Sequence, residues 1–168
     1  MGQQQLLLVI LVTIIVGIAT VVAINTFGAA ADSANVDAVR QDVSQIAAAA
    51  QGFYMKPAML GGGNRSFTDI TFNDFAFAAA GINADGNFAQ NENGFYEIQG
   101  VGTANVQQFT IIACAASNDD YVPGTINDGV LTPGTCGTPV RSAIVYPNDA
   151  TSLGEGTGGG EEGGEGGT

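Results

Sequence analysis

The chain is 168 residues long and carries 16 acidic residues against 4 basic ones, Arg40, Lys56, Arg65 and Arg141, for a net charge of −12. A surface this acidic repels phosphate backbones, which argues against nucleic-acid binding, and the absence of histidine removes the commonest general base. With the apolar N-terminal stretch set aside, the remaining length allows one modest core.

The chain opens MGQQQLLLVILVTIIVGIATVVAINTF, and from Leu6 to Phe27 neither a charge nor a proline interrupts it. As a helix this run spans about 33 Å, enough to cross a bilayer. A cleavable signal is the first rival, because Gly28-Ala29-Ala30-Ala31 offers a small-residue cleavage site. Against it stand the missing basic flank and an apolar run longer than the usual ~7–15 residues.

Beyond the alanines, Val36, Val39, Val43, Ile46, Ala50 and Phe53 recur at alternating spacings of three and four. This heptad-like stripe predicts an amphipathic helix that packs on a head domain. Between those positions, Asp37, Arg40, Gln41, Asp42, Ser44 and Gln45 form a polar face directed at solvent or a neighbour. Helix can continue until Lys56-Pro57, where the residue before proline is pushed out of helical geometry. The simplest expectation is one helix over about 3–54, about 78 Å long. Its apolar half covers 1–31 and its amphipathic half 32–56. The rival has two helices broken at Gly28-Ala29, glycine being the weaker helix former.

A β-rich head is expected over 57–153. Gly61-Gly62-Gly63-Asn64 marks a loop, and Phe67–Phe77 suggests a short strand followed by a helical turn. Asp85-Gly86 is a good turn pair. The clearest strands are Gly94–Gln99, Gln107–Ala115 and Val140–Tyr146, rich in β-branched and aromatic residues and bounded by turn formers. The first two are close enough for a hairpin, and a long loop, Ala116 to Thr138, joins the second to the third. The tail, 154–168, has no apolar side chain and reads as a disordered acidic segment.

Two cysteines, Cys114 and Cys136, sit at the end of one expected strand and just before the next. In an exported head they read as one disulfide pinning the long loop; in a reducing compartment they are two small thiols. The glycine-rich acidic tail and this pair both place the C-terminal part outside the cell.

A long helix that is apolar first (MGQQQLLLVILVTIIVGIATVVAINTF) and amphipathic later (VRQDVSQIAAAAQGFY), followed by a small antiparallel β-meander with a C-terminal disulfide loop, resembles the type IV pilin and pseudopilin family. It is similar in particular to a divergent bacterial branch with a Met-Gly-Gln-Gln-Gln start. The resemblance implies an α+β fold and a structural subunit of an extracellular filament. The subunit would wait in the inner membrane and be extracted by pilus assembly machinery into a helical polymer of identical copies. It also implies that Gln3, Gln4, Gln5, Leu6, Leu7, Leu8, Val9, Ile10, Leu11, Ile14, Ile15, Val16, Ile18, Val21, Val22 and Ile24 pack between subunits. Family members usually carry a basic leader, a carboxylate at the fifth mature position and a proline kink. Here that position is Gln5 or Leu7, according to where the chain is processed, and an amide from Gln3, Gln4 or Gln5 is the available substitute. The alternative is a single-pass anchored β-domain acting as a monomeric adhesin or a secretion pseudopilin.

No enzyme, cofactor or metal site is expected. Asp119-Asp120 reads as solvated charge. Neither Asn118-Asp119-Asp120 nor Asn83-Ala84-Asp85-Gly86-Asn87 has the spacing of a calcium loop. Asn64-Arg65-Ser66 matches a glycosylation sequon. The aromatics Phe53, Tyr54, Phe67, Phe72, Phe75 and Phe77 read as core.

Overall fold

A computed structural model of the protein describes residues 2–74, 76–102, 105–137, 139, 141–147 and 152–155. The chain divides into two compact units, Met1–Ala34 and Asn35–Thr168. One helix, α1 (Gly2–Met55), contributes to both, and it is helical throughout, with no break at Gly28-Ala29. The architecture is α+β, as expected.

The helix ends where Pro57 takes an extended conformation, φ −62° and ψ 150°. Its last carbonyls, which have no partner within the helix, are covered by the chain folding back. The Gly63 N–H donates to Phe53 O at 2.9 Å, Arg65 N–H to Tyr54 O at 2.9 Å and Asn64 N–H to Lys56 O at 3.0 Å. Asn64 and Arg65 reach these carbonyls with φ of 48° and 67°, so the first two residues of the tripeptide that matches a sequon are part of the helix stop.

Residues 66–80 contain neither strand nor helix among the described residues, in contrast to the strand and helical turn expected over Phe67–Phe77; Phe75 lies outside them. Asp69, at φ 60°, breaks the extended run. Asp74 Oδ2 then accepts from both the N–H and the hydroxyl of Thr71, at 2.8 and 2.7 Å, closing a side-chain turn. Hydrophobicity still sets the segment's place, for Phe67, Ile70 and Phe72 are buried.

The sheet has eight strands: β1 (Gly81–Ile82), β2 (Phe88–Gln90), β3 (Gly94–Gln99), β4 (Phe109–Ala115), β5 (Thr125–Asn127), β6 (Val130–Thr132), β7 (Arg141–Val145) and β8 (Ser152–Glu155). Their order is β5-β6-β1-β2-β3-β4-β7-β8. From β1 to β4, and on to β7 and β8, neighbours are antiparallel, which is the expected meander. The β5–β6 hairpin departs from it, leaving β4 to reach the far edge, where Ile82 pairs in parallel with Val130. The sheet is therefore mixed and wider than expected.

Strand β3 matches its expected bounds, whereas β4 starts at Phe109 because Gln107 is engaged elsewhere: its amide donates to Arg65 O at 3.0 Å and its Oε1 accepts from Tyr54 OH at 2.8 Å. Strand β7 begins at Arg141, with Val140 outside the described residues, and ends before Tyr146. Thr138, Thr103 and Ala104, from the two expected loops, are also outside them. Of the expected disordered tail, Gly154 and Glu155 complete β8 and 156–168 lie outside the described residues.

Within the second unit, Val39, Val43, Ile46, Ala47 and Ala50 of α1 are buried in one cluster with the sheet. Cross-strand register explains the fit. Ala89, Tyr96 and Ala113 stand opposite one another across three strands, as do Ile98, Ile111 and Ala143. Alternating inward residues give β4 its buried positions at Phe109, Ile111, Ala113 and Ala115. Alanines at 89, 113, 115 and 143 leave room for the helix. Phe67 meets Tyr54 at a tilt and Phe109 edge-on, each ring centroid 5.0 Å away. Of the expected helix–head residues, Val39, Val43, Ile46 and Ala50 are fully buried, and Val36 and Phe53 partly so.

Candidate functional site

The helical residues of the first unit present one kind of surface. Every large apolar side chain from Leu6 to Phe27 is exposed, from 48% at Val12 to 76% at Phe27. These include all the aliphatic residues expected to pack between subunits; Gln3, Gln4 and Gln5 are exposed beside them. Polar groups in the run are turned inward on the helix itself. The Thr13 hydroxyl donates to Ile10 O at 2.8 Å, Thr20 to Val16 O at 2.8 Å, Thr26 to Val22 O at 2.9 Å and Ser33 to Ala29 O at 2.9 Å. From Gly2 to Phe27 such a helix offers water little besides Gln3, Gln4, Gln5 and Asn25.

Burying an aliphatic side chain is worth about 1.5–3 kcal/mol. Fourteen of them from Leu6 to Ile24, with Phe27 beyond, are left largely bare, so covering the run stabilises the chain by tens of kcal/mol. By length and composition the helix is able to cross a membrane, with an 18-residue window of mean hydropathy 3.2 that is 0% buried.

The second unit carries the polar constellation that the sequence hides. Asp42 Oδ2 accepts three hydrogen bonds, from Tyr96 OH at 2.6 Å, Asn91 Nδ2 at 2.8 Å and Asn93 Nδ2 at 2.9 Å. Two turns earlier, Asn35 donates to Asn93 O at 3.0 Å and accepts from Ser117 N–H at 3.1 Å. Asp42, expected on a polar face toward solvent or a neighbour, instead fastens α1 to the β2–β3 turn. Burial, then the hydrogen bond to the Asp42 carboxylate and its charge, push the Tyr96 hydroxyl pKa well above the ordinary tyrosine value. Tyr121 is raised too, by burial. A tyrosine held protonated in this way donates permanently, which suits a fastening and not proton transfer.

Cys114 and Cys136 form a disulfide with Cα atoms 6.2 Å apart. The loop it closes is braced by the Val122–Thr135 bridge and by Gln90 Oε1, which accepts from Gly124 N–H at 2.7 Å. Within it, the hairpin turn Asp128-Gly129 takes φ of 52° and 81°, left-handed geometry that glycine adopts without strain. Asp119 and Asp120 are exposed, and Asn118 Oδ1 accepts from Asp120 N–H at 3.0 Å. In the other candidate loop, Asn83 Oδ1 accepts from Phe88 N–H at 2.9 Å and its amide donates to Asn87 Oδ1 at 2.7 Å, so these side chains close the β1–β2 turn. Among the described residues, no three histidine, cysteine or acidic side chains come together as metal ligands.

Comparison with known proteins returns no family model, no curated protein and no solved structure that matches the chain.

Proposed function

We propose that this protein is the structural subunit of an extracellular, pilus-like filament and polymerises through the apolar first half of α1. One observation carries the reading: a helical run from Leu6 to Phe27 exposes aliphatic side chains throughout, and its hydroxyls are already satisfied on the helix. Such a run is stable in lipid or among copies of itself. Both environments are used in turn: the helix rests in the inner membrane, assembly machinery extracts it, and identical helices then cover one another. The disulfide supports the oxidising side of the membrane for the sheet. Gln3, Gln4 and Gln5 supply the polar contact with a neighbour that a charged pair supplies in the pilin-like proteins the chain resembles.

The length and hydropathy of the same helix equally favour a second reading, a monomeric domain anchored by one span. Negative-stain microscopy of shed surface material, with mass spectrometry of whatever filaments are found, separates the two. The polymer reading expects this chain as the filament's main component; recovery from membrane fractions alone would sink it.

A further inference from the structure

We infer that the Asn25 amide of one copy hydrogen-bonds the Gln5 amide of the next, and that this pair sets the axial stagger between the two α1 helices at about 30 Å. The inference rests on the polymer reading above and names what fixes its register, which aliphatic packing alone leaves open.

Asn25 is out of keeping with its surroundings. It stands between Ile24 and Thr26, as exposed as the aliphatic residues around it. The threonine hydroxyls of the run each donate to a carbonyl of their own helix, but the Asn25 amide has no partner among the described residues. An amide carries two donors and an acceptor, and leaving them unmet where water is excluded costs the full desolvation of the group. Aliphatic neighbours cannot meet them. From Gly2 to Phe27 the other free side-chain amides are Gln3, Gln4 and Gln5, also exposed, so the matching group on a second copy is a glutamine or another Asn25.

Helical geometry chooses among them. Both ends of the run lie in the first unit, on a helix that is unbroken from Gly2. Gln5 and Asn25 are 20 positions apart, about five and a half turns, so they leave α1 on opposite sides. Gln3 is 22 positions from Asn25, about six turns, and leaves on the same side. With Gln5 on the back and Asn25 on the front, parallel copies join front to back, and each copy spends its two amides on two different neighbours. Such a contact is heterologous, and one that does not close on itself propagates as an open helix. Asn25 against Asn25 is the isologous alternative, which pairs two copies and stops.

The same spacing fits lipid. Twenty positions of helix rise about 30 Å, the thickness of a bilayer's hydrocarbon core. A lone copy therefore holds one amide at each headgroup boundary, where water serves both. In the polymer that water is gone, and a neighbour displaced by the length of the run replaces it. Slippage by one turn would bury both amides unpaired, so the polar pair specifies the register within otherwise apolar packing, as a single buried asparagine does in coiled coils.

Filaments of full-length chain carrying Gln5→Cys with Asn25→Cys, assembled from a mixture of light and ¹⁵N-labelled copies, are oxidised with copper phenanthroline and resolved on a denaturing gel. A ladder of trimers and longer multimers is expected, with heavy–light peptides joining positions 5 and 25. Gln3→Cys with Asn25→Cys should link at least tenfold less. Leucine substitutions test the pairing without a cross-link, because removing one amide strands the other whereas removing both leaves nothing unmet. Gln5→Leu and Asn25→Leu should each shorten filaments at least tenfold, and the double variant should recover most of the length. Additive losses overturn the pair, as do single leucine variants with filaments of normal length or strong dimers from Asn25→Cys alone. The same 5–25 link in unassembled chain held in phosphatidylglycerol vesicles, where parallel copies keep these positions at opposite boundaries, assigns it to antiparallel copies in lipid and overturns it as well. Native filaments whose cysteine variant assembles without the 5–25 link leave the polymer standing and remove this contact. Absence of native filaments under every condition removes the polymer reading and the contact with it.

Discussion

Asp42 places three donors on a single carboxylate oxygen, and two of the donors, Asn91 and Asn93, come from the turn between β2 and β3. Replacing it by asparagine keeps the shape but removes the charge that strengthens all three bonds. Asp42→Asn is expected to destabilise the sheet unit by about 1.5–3 kcal/mol, read as a fall in the thermal midpoint of the full-length protein in detergent. Tyr96 adds a pH dependence whose sign follows from its raised pKa. In the unfolded chain tyrosine loses its proton near pH ~10, whereas folded Tyr96 holds it, so the folded state binds more protons and loses stability as pH rises beyond that point. The thermal midpoint should fall between about pH 9 and pH 11 more steeply in the native protein than in Tyr96→Phe, which retains only the smaller effect of Tyr121 in the same direction. None of this was legible in the sequence, because Asp42 meets Asn91, Asn93 and Tyr96 only across 49, 51 and 54 positions of chain. Periodicity reports which face is apolar and is silent about which polar residue at the stripe's border turns inward.

The elements were legible in proportion to the strength of their own pattern. The helix from Gly2 to Met55 and strand β3 stand where hydrophobic spacing puts them. Strands β1, β2, β5, β6 and β8 have two to four residues each, too short for any period to show. The β5–β6 turn did carry a signal, Asn127-Asp128-Gly129, of the same kind as the Asp85-Gly86 turn. What no local signal supplied was its parallel partner β1, a pairing fixed by the crossover. On the helix, the stripe distinguishes neighbours sharply. Ile46, 1% exposed, should cost about 2–5 kcal/mol when cut to alanine, while the exposed Gln45→Ala should stay within about 0.5 kcal/mol. Urea midpoints of the two variants check this, and equal losses would mean that the stripe does not dock as described. Ala47 extends the stripe beyond the spacings that sequence alone picked out.

For the molecule as a whole, the buried core and the exposed apolar run lie in different stretches of the chain. The apolar run of α1 contributes no residue to the buried cluster, which begins at Val39 and is built from the second unit. Val16→Asp is thus expected to leave the thermal midpoint of the sheet unit unchanged within about 0.5 kcal/mol, yet to abolish filament formation, because a carboxylate among packed aliphatic helices costs several kcal/mol. Circular dichroism and electron microscopy on the same preparation read the two effects independently. A variant that lost both would show that the first unit supports the second. The apolar surface was fully legible in the sequence, since every large side chain of the run is exposed. Its occupant was not, because lipid and a copy of the same helix present the same aliphatic chemistry.

The covalent bridge also sets how this protein bears a mechanical load. Cys114 closes the end of β4 and Cys136 stands shortly before β7, with 22 positions of sequence between them and Cα atoms 6.2 Å apart. Tension running along the backbone crosses that gap through the sulfur atoms, so the intervening segment, with its β5–β6 hairpin, lies off the force path. At ~3.4 Å per residue, the bridge withholds about 70 Å of contour from stretching. Pulled in a force spectrometer, the oxidised protein should extend by about that much less than the reduced one, and its hairpin should stay seated on β1 while the strands on either side are strained.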